Sequence, residues 1–183
     1  MPGHLTTARL ILAISLCFFW FTGSCGPGEC KEKSNPEVHF VSQSVLVRAP
    51  ADLVFDCIRR SRHTDPRRRK VLSYDGTEAV IEEHFAGLPV LGSATCVYRE
   101  CEVPLERIDY NLIRSSQFRA FEGHWELVPS RGDCTLLKLS SYIDPVIWVP
   151  FKEQISRGVT LKDIQRRLSA VKADAEGRKK DAI

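Results

Sequence analysis

The sequence predicts an α+β domain in which an antiparallel sheet of six to seven strands wraps around a long C-terminal helix, with a short helical segment after the first strand. Two observations carry this. Between residues 70 and 143, short runs of strand character are separated by turn chemistry at Asp75-Gly76, Gly87-Leu88-Pro89, Val103-Pro104 and Ser130-Arg131-Gly132-Asp133. Connections this short join antiparallel neighbours, because parallel strands need long crossovers. After them, residues 150–175 read as one long helix opened by Pro150, polar enough to be a surface cap rather than a buried rod. At 183 residues the chain holds one domain with a full core, and 43% hydrophobic with 27% charged residues is ordinary for a soluble globular protein.

The first residues read as an export signal. His4 and Arg9 accompany an apolar run from Leu10 to Phe21, interrupted only by Ser15 and followed by Thr22-Gly23-Ser24-Cys25. The run is about a dozen residues, whereas a membrane span needs roughly 20. An uncleaved anchor is the rival reading. Thr22-Gly23-Ser24-Cys25 resembles a bacterial lipoprotein box, which would make Cys25 a lipidation site; ordinary cleavage after Ser24 or Gly26 is the alternative. One lipid would tether the domain to a membrane, and firm anchoring needs a second signal. The expected organisation is an export signal over 1–24, a polar tether over 25–37, the domain over 38–175 and a charged disordered tail over 176–183. The expected location is outside the cytoplasm, periplasmic or membrane-tethered through the N-terminus.

Within the domain, residues 38–48 alternate well enough for a strand, and Ala49-Pro50-Ala51-Asp52 starts a helix that ends before Thr64-Asp65-Pro66. Strands follow over 70–74, 78–85, 93–102, 106–115, 119–129 and 134–143. In the fifth of these Phe121, Gly123, Trp125 and Leu127 share a side opposite Glu122, His124 and Glu126, so one face is apolar and needs a cover. The terminal helix supplies it, with an offset. Phe151, Ile155 and Val159 form one stripe, while Leu161, Ile164, Leu168 and Val171 form another pointing to nearly the opposite side. Either the helix bends near Gly158 or its first half faces something other than the sheet core.

This order of elements resembles the START-like superfamily, also called SRPBCC, which includes the birch-pollen-allergen fold. Phe121-Glu122-Gly123-His124-Trp125-Glu126-Leu127-Val128-Pro129, a Gly-Asp turn, a strand ending Asp144-Pro145 and Pro150 opening the helix look like its coenzyme-Q-binding and polyketide cyclase/dehydrase branch. Val47-Arg48-Ala49-Pro50-Ala51-Asp52-Leu53-Val54-Phe55 is similar to that branch's strand-to-helix entry. The resemblance covers roughly residues 38–175 and departs from the branch over 59–70, which are crowded with arginine and lack the tryptophan often found there. It implies a helix-grip fold with a hydrophobic cavity between sheet and terminal helix, used to carry, present or convert lipids, quinones and polyketides.

The candidate ligand-contacting residues are Phe85, Tyr98, Trp125, Leu137, Leu139, Trp148, Phe151 and Ile155, with Glu83 as a polar anchor. Glu83 shares a side with Ile81 and Phe85; facing inward, it would be a buried carboxylate with a raised pKa. Trp148 and Phe151 belong to the most apolar connector in the chain, and loops are usually polar. Arg67, Arg68, Arg69 and Lys70 are the centre of a basic segment with Asp65 as its only acid, readable as a docking patch for anionic phospholipid surfaces or as a solvated loop.

The expected partners are therefore an apolar small molecule or lipid and an anionic membrane surface. A formal charge of +3 is too mild for a dedicated nucleic-acid binder. Neither a catalytic set nor a cofactor or metal site is expected: Glu82 and His84 lack a third ligand, and no CxxC or Cys/His cluster has zinc spacing. Of seven cysteines, at least two are expected to be free and buried. A carrier module is the first functional expectation, with a cyclase-like enzyme in the same cavity and an interaction domain with a filled core as alternatives.

Overall fold

Alternation of buried and exposed residues sets the sheet. The computed structural model describes residues 39–181, and these contain strands β1 (Val41–Val47), β2 (Arg69–Tyr74), β3 (Glu78–Leu88), β4 (Gly92–Val103), β5 (Arg107–Ser115), β6 (Phe118–Ser130) and β7 (Cys134–Pro145). All pair antiparallel in one sheet ordered β1-β7-β6-β5-β4-β3-β2, so β2 to β7 form the expected meander and β1 returns to lie beside β7. Helix α1 (Ala51–Ser61) follows β1, and helix α2 (Lys152–Asp181) ends the described chain. The expected export signal, the tether and Cys25 lie outside the described residues. Among the described residues no helix is long and apolar enough to cross a membrane.

The apolar side of the sheet is the predicted one. Phe121, Trp125 and Leu127 of β6 and Leu137 and Leu139 of β7 are buried, and Ile164, Leu168, Val171 and Ala175 of α2 close over them. Helix α1 adds Val54, Phe55, Cys57 and Ile58 to the same core. Gly123 is required by close packing. A Cβ at this position would lie 2.1 Å from the Ser140 carbonyl oxygen and 2.4 Å from the Tyr110 hydroxyl, so the end of the Tyr110 side chain reaches this point only over a glycine.

One expectation about α2 changes and one open alternative is decided. It is helical to Asp181, through residues expected to form a disordered tail. Arg178 Nη1 pairs with Asp56 Oδ2 at 2.8 Å, fastening the end of α2 to α1, and cations in a last helical turn also suit the helix dipole. The offset stripes have the second of the two explanations: Ile164, Leu168 and Val171 face the sheet, while Ile155 and Val159 line a cleft beside it. Cys57 and Cys96 are free and buried as expected, and Cys101 is disulfide-bonded.

Candidate functional site

The cleft has a volume of about 720 Å³ and lies between the N-terminal half of α2, the C-terminal half of β3, the β3–β4 hairpin and the connector after β7. Phe85 and Phe118 form its floor, meeting edge to face with ring centroids 5.7 Å apart. Leu88 and Leu91 come from the hairpin, Ile147 from the connector, and Ile155 and Val159 from α2. The hairpin is tight. It turns through Gly87, Val90 and Gly92, all with positive φ, and Val90 is a β-branched residue at +70°, a conformation that favours glycine. Phe151 has a φ of +59° immediately before α2.

Behind Phe85 the interior is filled. Phe121 packs against Tyr98, Tyr110 and Phe85 at centroid distances of 5.1, 5.2 and 5.6 Å. Aromatic rings thus occupy the space behind Phe85, and the 720 Å³ cleft lies beside them.

At that end stands a cluster of ions. Glu83 is fully buried (0% exposed) and points inward from β3. Arg167 Nη2 donates to its two oxygens at 3.0 and 3.1 Å, Arg68 Nε to Oε1 at 3.0 Å, and the Tyr98 hydroxyl to Oε2 at 3.0 Å. Arg69 Nε lies 3.1 Å from Oε2 without the alignment of a hydrogen bond. Asp163, one turn before Arg167, accepts from Arg68 at 2.9 Å and from Arg166 and Arg167 at 2.5 Å each. Arg68 also lies 5.4 Å from the centre of the Phe85 ring, so it belongs to both the cluster and the cleft wall.

The expected raised pKa of Glu83 is corrected by these partners. Burial pushes its carboxyl up, but Arg167, Arg69 and Arg68 outweigh burial and hold it below the ordinary value. Asp163 is likewise held low against its burial, chiefly by Arg167 and Arg166. Tyr98, buried beside the Glu83 carboxylate, is pushed well above the usual tyrosine range.

The structure distributes the other sequence candidates unevenly. Phe85 and Ile155 line the cleft. Tyr98, Trp125, Leu137 and Leu139 are packed in the core behind it, and Glu83 is sealed beneath the arginines. Trp148 (94% exposed) and Phe151 (74% exposed) point into solvent beside a separate shallow recess, and the neighbouring Ile147 and Val149 line the cleft instead. Of the basic segment, Arg67 and Lys70 are exposed, whereas Arg68 and Arg69 turn inward to Glu83. Arg62, nearby, is buried against Glu100 and Glu102 at 2.7 Å each. Sequence reasoning missed Arg167 and Asp163. Their i, i+4 spacing, with Arg167 adjoining the apolar stripe of α2, was the available signal. Among the described residues no group of three or more His, Cys, Asp or Glu side chains could hold a metal ion.

The chain is similar to the Zhui aromatase/cyclase of Streptomyces sp. R1128, with a TM-score of 0.61, 19% identity and coverage of 77% of this chain and 95% of that one. It is similar to a START superfamily protein from Mycobacterium smegmatis, with a TM-score of 0.57, 19% identity and coverage of 79% and 99%. The fold is START-like. Ara h 8.0201 shares this START-like architecture too, with a TM-score of 0.55 at 12% identity over 75% of this chain and 97% of that one. No family model and no curated protein matches the sequence. The START-like fold was therefore readable from element order and local wording, while identities this low carry the fold alone.

Proposed function

We propose that this protein binds an apolar small molecule or lipid in the α2–β3 cleft and acts as a carrier domain outside the cytoplasm. The observation that carries the reading is the cleft itself. Its 720 Å³ falls within the roughly 300–1,000 Å³ of small-molecule sites, and apolar side chains from four elements converge on it. A lipid, quinone or polyketide-like compound fits such a wall. The START-like neighbours, which include an aromatase/cyclase, support a ligand-holding role for this fold without choosing the ligand.

Export is supported by the pattern of the first 24 residues and by the disulfide at Cys101, since such bonds persist in oxidising compartments. Acylation of Cys25 would tether the domain, and the exposed Arg60, Arg67 and Lys70 would supply the second, electrostatic contact to an anionic membrane. Equal flotation with neutral and anionic vesicles would remove the docking part of the proposal. The variant to use is Arg67→Glu with Lys70→Glu, because Arg68 and Arg69 are engaged in the ion cluster.

Titration with Nile red, an uncharged apolar fluorophore, tests the site. The expected result is saturable uptake of one molecule with a blue-shifted emission, lost when Val159→Trp fills the cleft. Absence of saturable uptake, or uptake unchanged in the variant, would overturn the proposal.

A further inference from the structure

The cleft carries unmatched charge at one end only. Along α2 its lining passes from Ile155 and Val159 to Lys162, Asp163 and Arg166. At about 1.5 Å per residue, the run from Ile155 to Arg166 spans roughly 16 Å, a length suited to an extended chain with a head group. The opposite wall has the same polarity, with Leu88 and Leu91 at one end and Arg67 and Arg68 at the other.

The polar end carries uncompensated positive charge. Glu83 and Asp163 are the only carboxylates within the ion cluster, and four guanidiniums, those of Arg68, Arg69, Arg166 and Arg167, surround them. On the wall beside them Arg67 and Lys162 add two cations, against the single carboxylate of Asp65, whose Oδ1 accepts from the Arg67 backbone at 3.2 Å. His84 lines the same end and pairs with the Thr95 hydroxyl. The apolar end is different: its one cation, Lys152, is matched by Asp144 at 2.6 Å. Arg67, Lys162 and Arg166 are exposed, and their surplus positive charge at the end of an apolar cleft favours an anion placed there, held by charge-assisted hydrogen bonds.

Building on the ligand-binding reading, we propose that the cleft takes an amphipathic anion, its carboxylate or phosphate head at Arg67, Arg68, Lys162 and Arg166 and its hydrocarbon tail along Phe85, Leu88, Ile155 and Val159. Arg68 sets the junction: its guanidinium carbon lies 5.4 Å from the centre of the Phe85 floor, and its nitrogens pair with Glu83 and Asp163 at the polar end. The proposal separates this cleft from one that merely dissolves apolar compounds. It excludes cationic amphiphiles, which would meet the arginine excess.

Displacement of Nile red from the full chain tests it, using dodecanoate, dodecyl phosphate, dodecanol and dodecylamine below their micelle concentrations at neutral pH. The two anions should displace the probe at concentrations about tenfold or more below the alcohol, as charge-assisted hydrogen bonds add to the shared tail, and the amine should be weakest. The better of the two anions identifies the head group. Arg67→Gln with Lys162→Gln, both exposed and outside the ion cluster, should bring the anions toward the alcohol. Equal displacement by all four compounds, preference for the amine, or an anion advantage untouched by the variant would overturn the proposal while leaving the apolar site standing. Failure of Nile red itself to bind would remove both.

Discussion

Arg167 joins the middle of α2 to β3 by donating from one nitrogen to both oxygens of Glu83, at 3.0 and 3.1 Å. The pair separates two regions under the same helix. On one side Leu168 and Val171 close an apolar core, and on the other Ile155 and Val159 line an open cleft. A buried pair of this kind is weak evidence for net stability, but breaking it strands a charge.

Removing the carboxylate should therefore be costly. Glu83→Gln leaves Arg68, Arg69 and Arg167 facing one another without their shared anion, and we expect a loss of about 3–5 kcal/mol in urea unfolding. Arg167→Met should cost a similar amount by leaving Glu83 buried with less compensation. A change below about 0.5 kcal/mol, the scale of ordinary surface substitutions, would contradict the cluster as described.

The same residues set a pH dependence. Glu83 and Asp163 are held below their ordinary values of 4.5 and 3.8. As pH falls, the unfolded chain protonates these groups first and binds more protons than the folded one, so stability drops. The contribution of the two carboxylates should be complete above about pH 5 and decline below it toward their depressed native values. Urea midpoints measured between pH 6 and 3 should fall, and Asp163→Asn should flatten the slope. A midpoint constant to pH 3 would be inconsistent with either carboxylate being held low.

Gly123→Ala tests the close approach of Tyr110. The added methyl would meet backbone oxygen as well as a ring, so side-chain adjustment alone does not relieve it. We expect a loss of about 1–3 kcal/mol or more, read from thermal or urea unfolding, and Tyr110→Ala should only partly restore it because the Ser140 contact remains.

Thiol labelling should discriminate sharply among the described free cysteines. Burial pushes the Cys57 thiol up to about 11 and the Cys96 thiol up to about 12. Both are therefore protonated and shielded near pH 8, while the half-buried Cys134 is reachable. Peptide mapping after brief maleimide treatment of the native protein should find Cys134 modified and the other two unmodified; rapid labelling of Cys96 would contradict its burial beside Glu83, its cross-strand neighbour.

Much of the fold was legible because local rules agreed with one another. Gly76, Gly87 and Gly132 mark turns whose positive φ the structure uses, and alternation around Trp125 named the buried face of β6 correctly. The site was less legible. Periodicity assigns residues to faces but does not separate a filled interior from a cleft, so Tyr98, Trp125, Leu137 and Leu139 were grouped with Phe85 although only Phe85 borders open space. Glu83 was found by its position between Ile81 and Phe85. Its charged partners are Arg68 just before β2, Arg69 at the start of β2 and Arg167 from a helix turn 84 residues away, and long-range ion pairing leaves no local trace. Arg68 and Arg69 consequently looked like surface charge.

The most direct test of the central claim is native mass spectrometry of the protein purified without detergent, beside its Val159→Trp variant, with solvent extraction of anything bound. The account predicts a stoichiometric apolar or amphipathic passenger on the protein and its loss from the variant. A clean unliganded mass for both, with no uptake from a mixed pool of lipids and quinones, would contradict it.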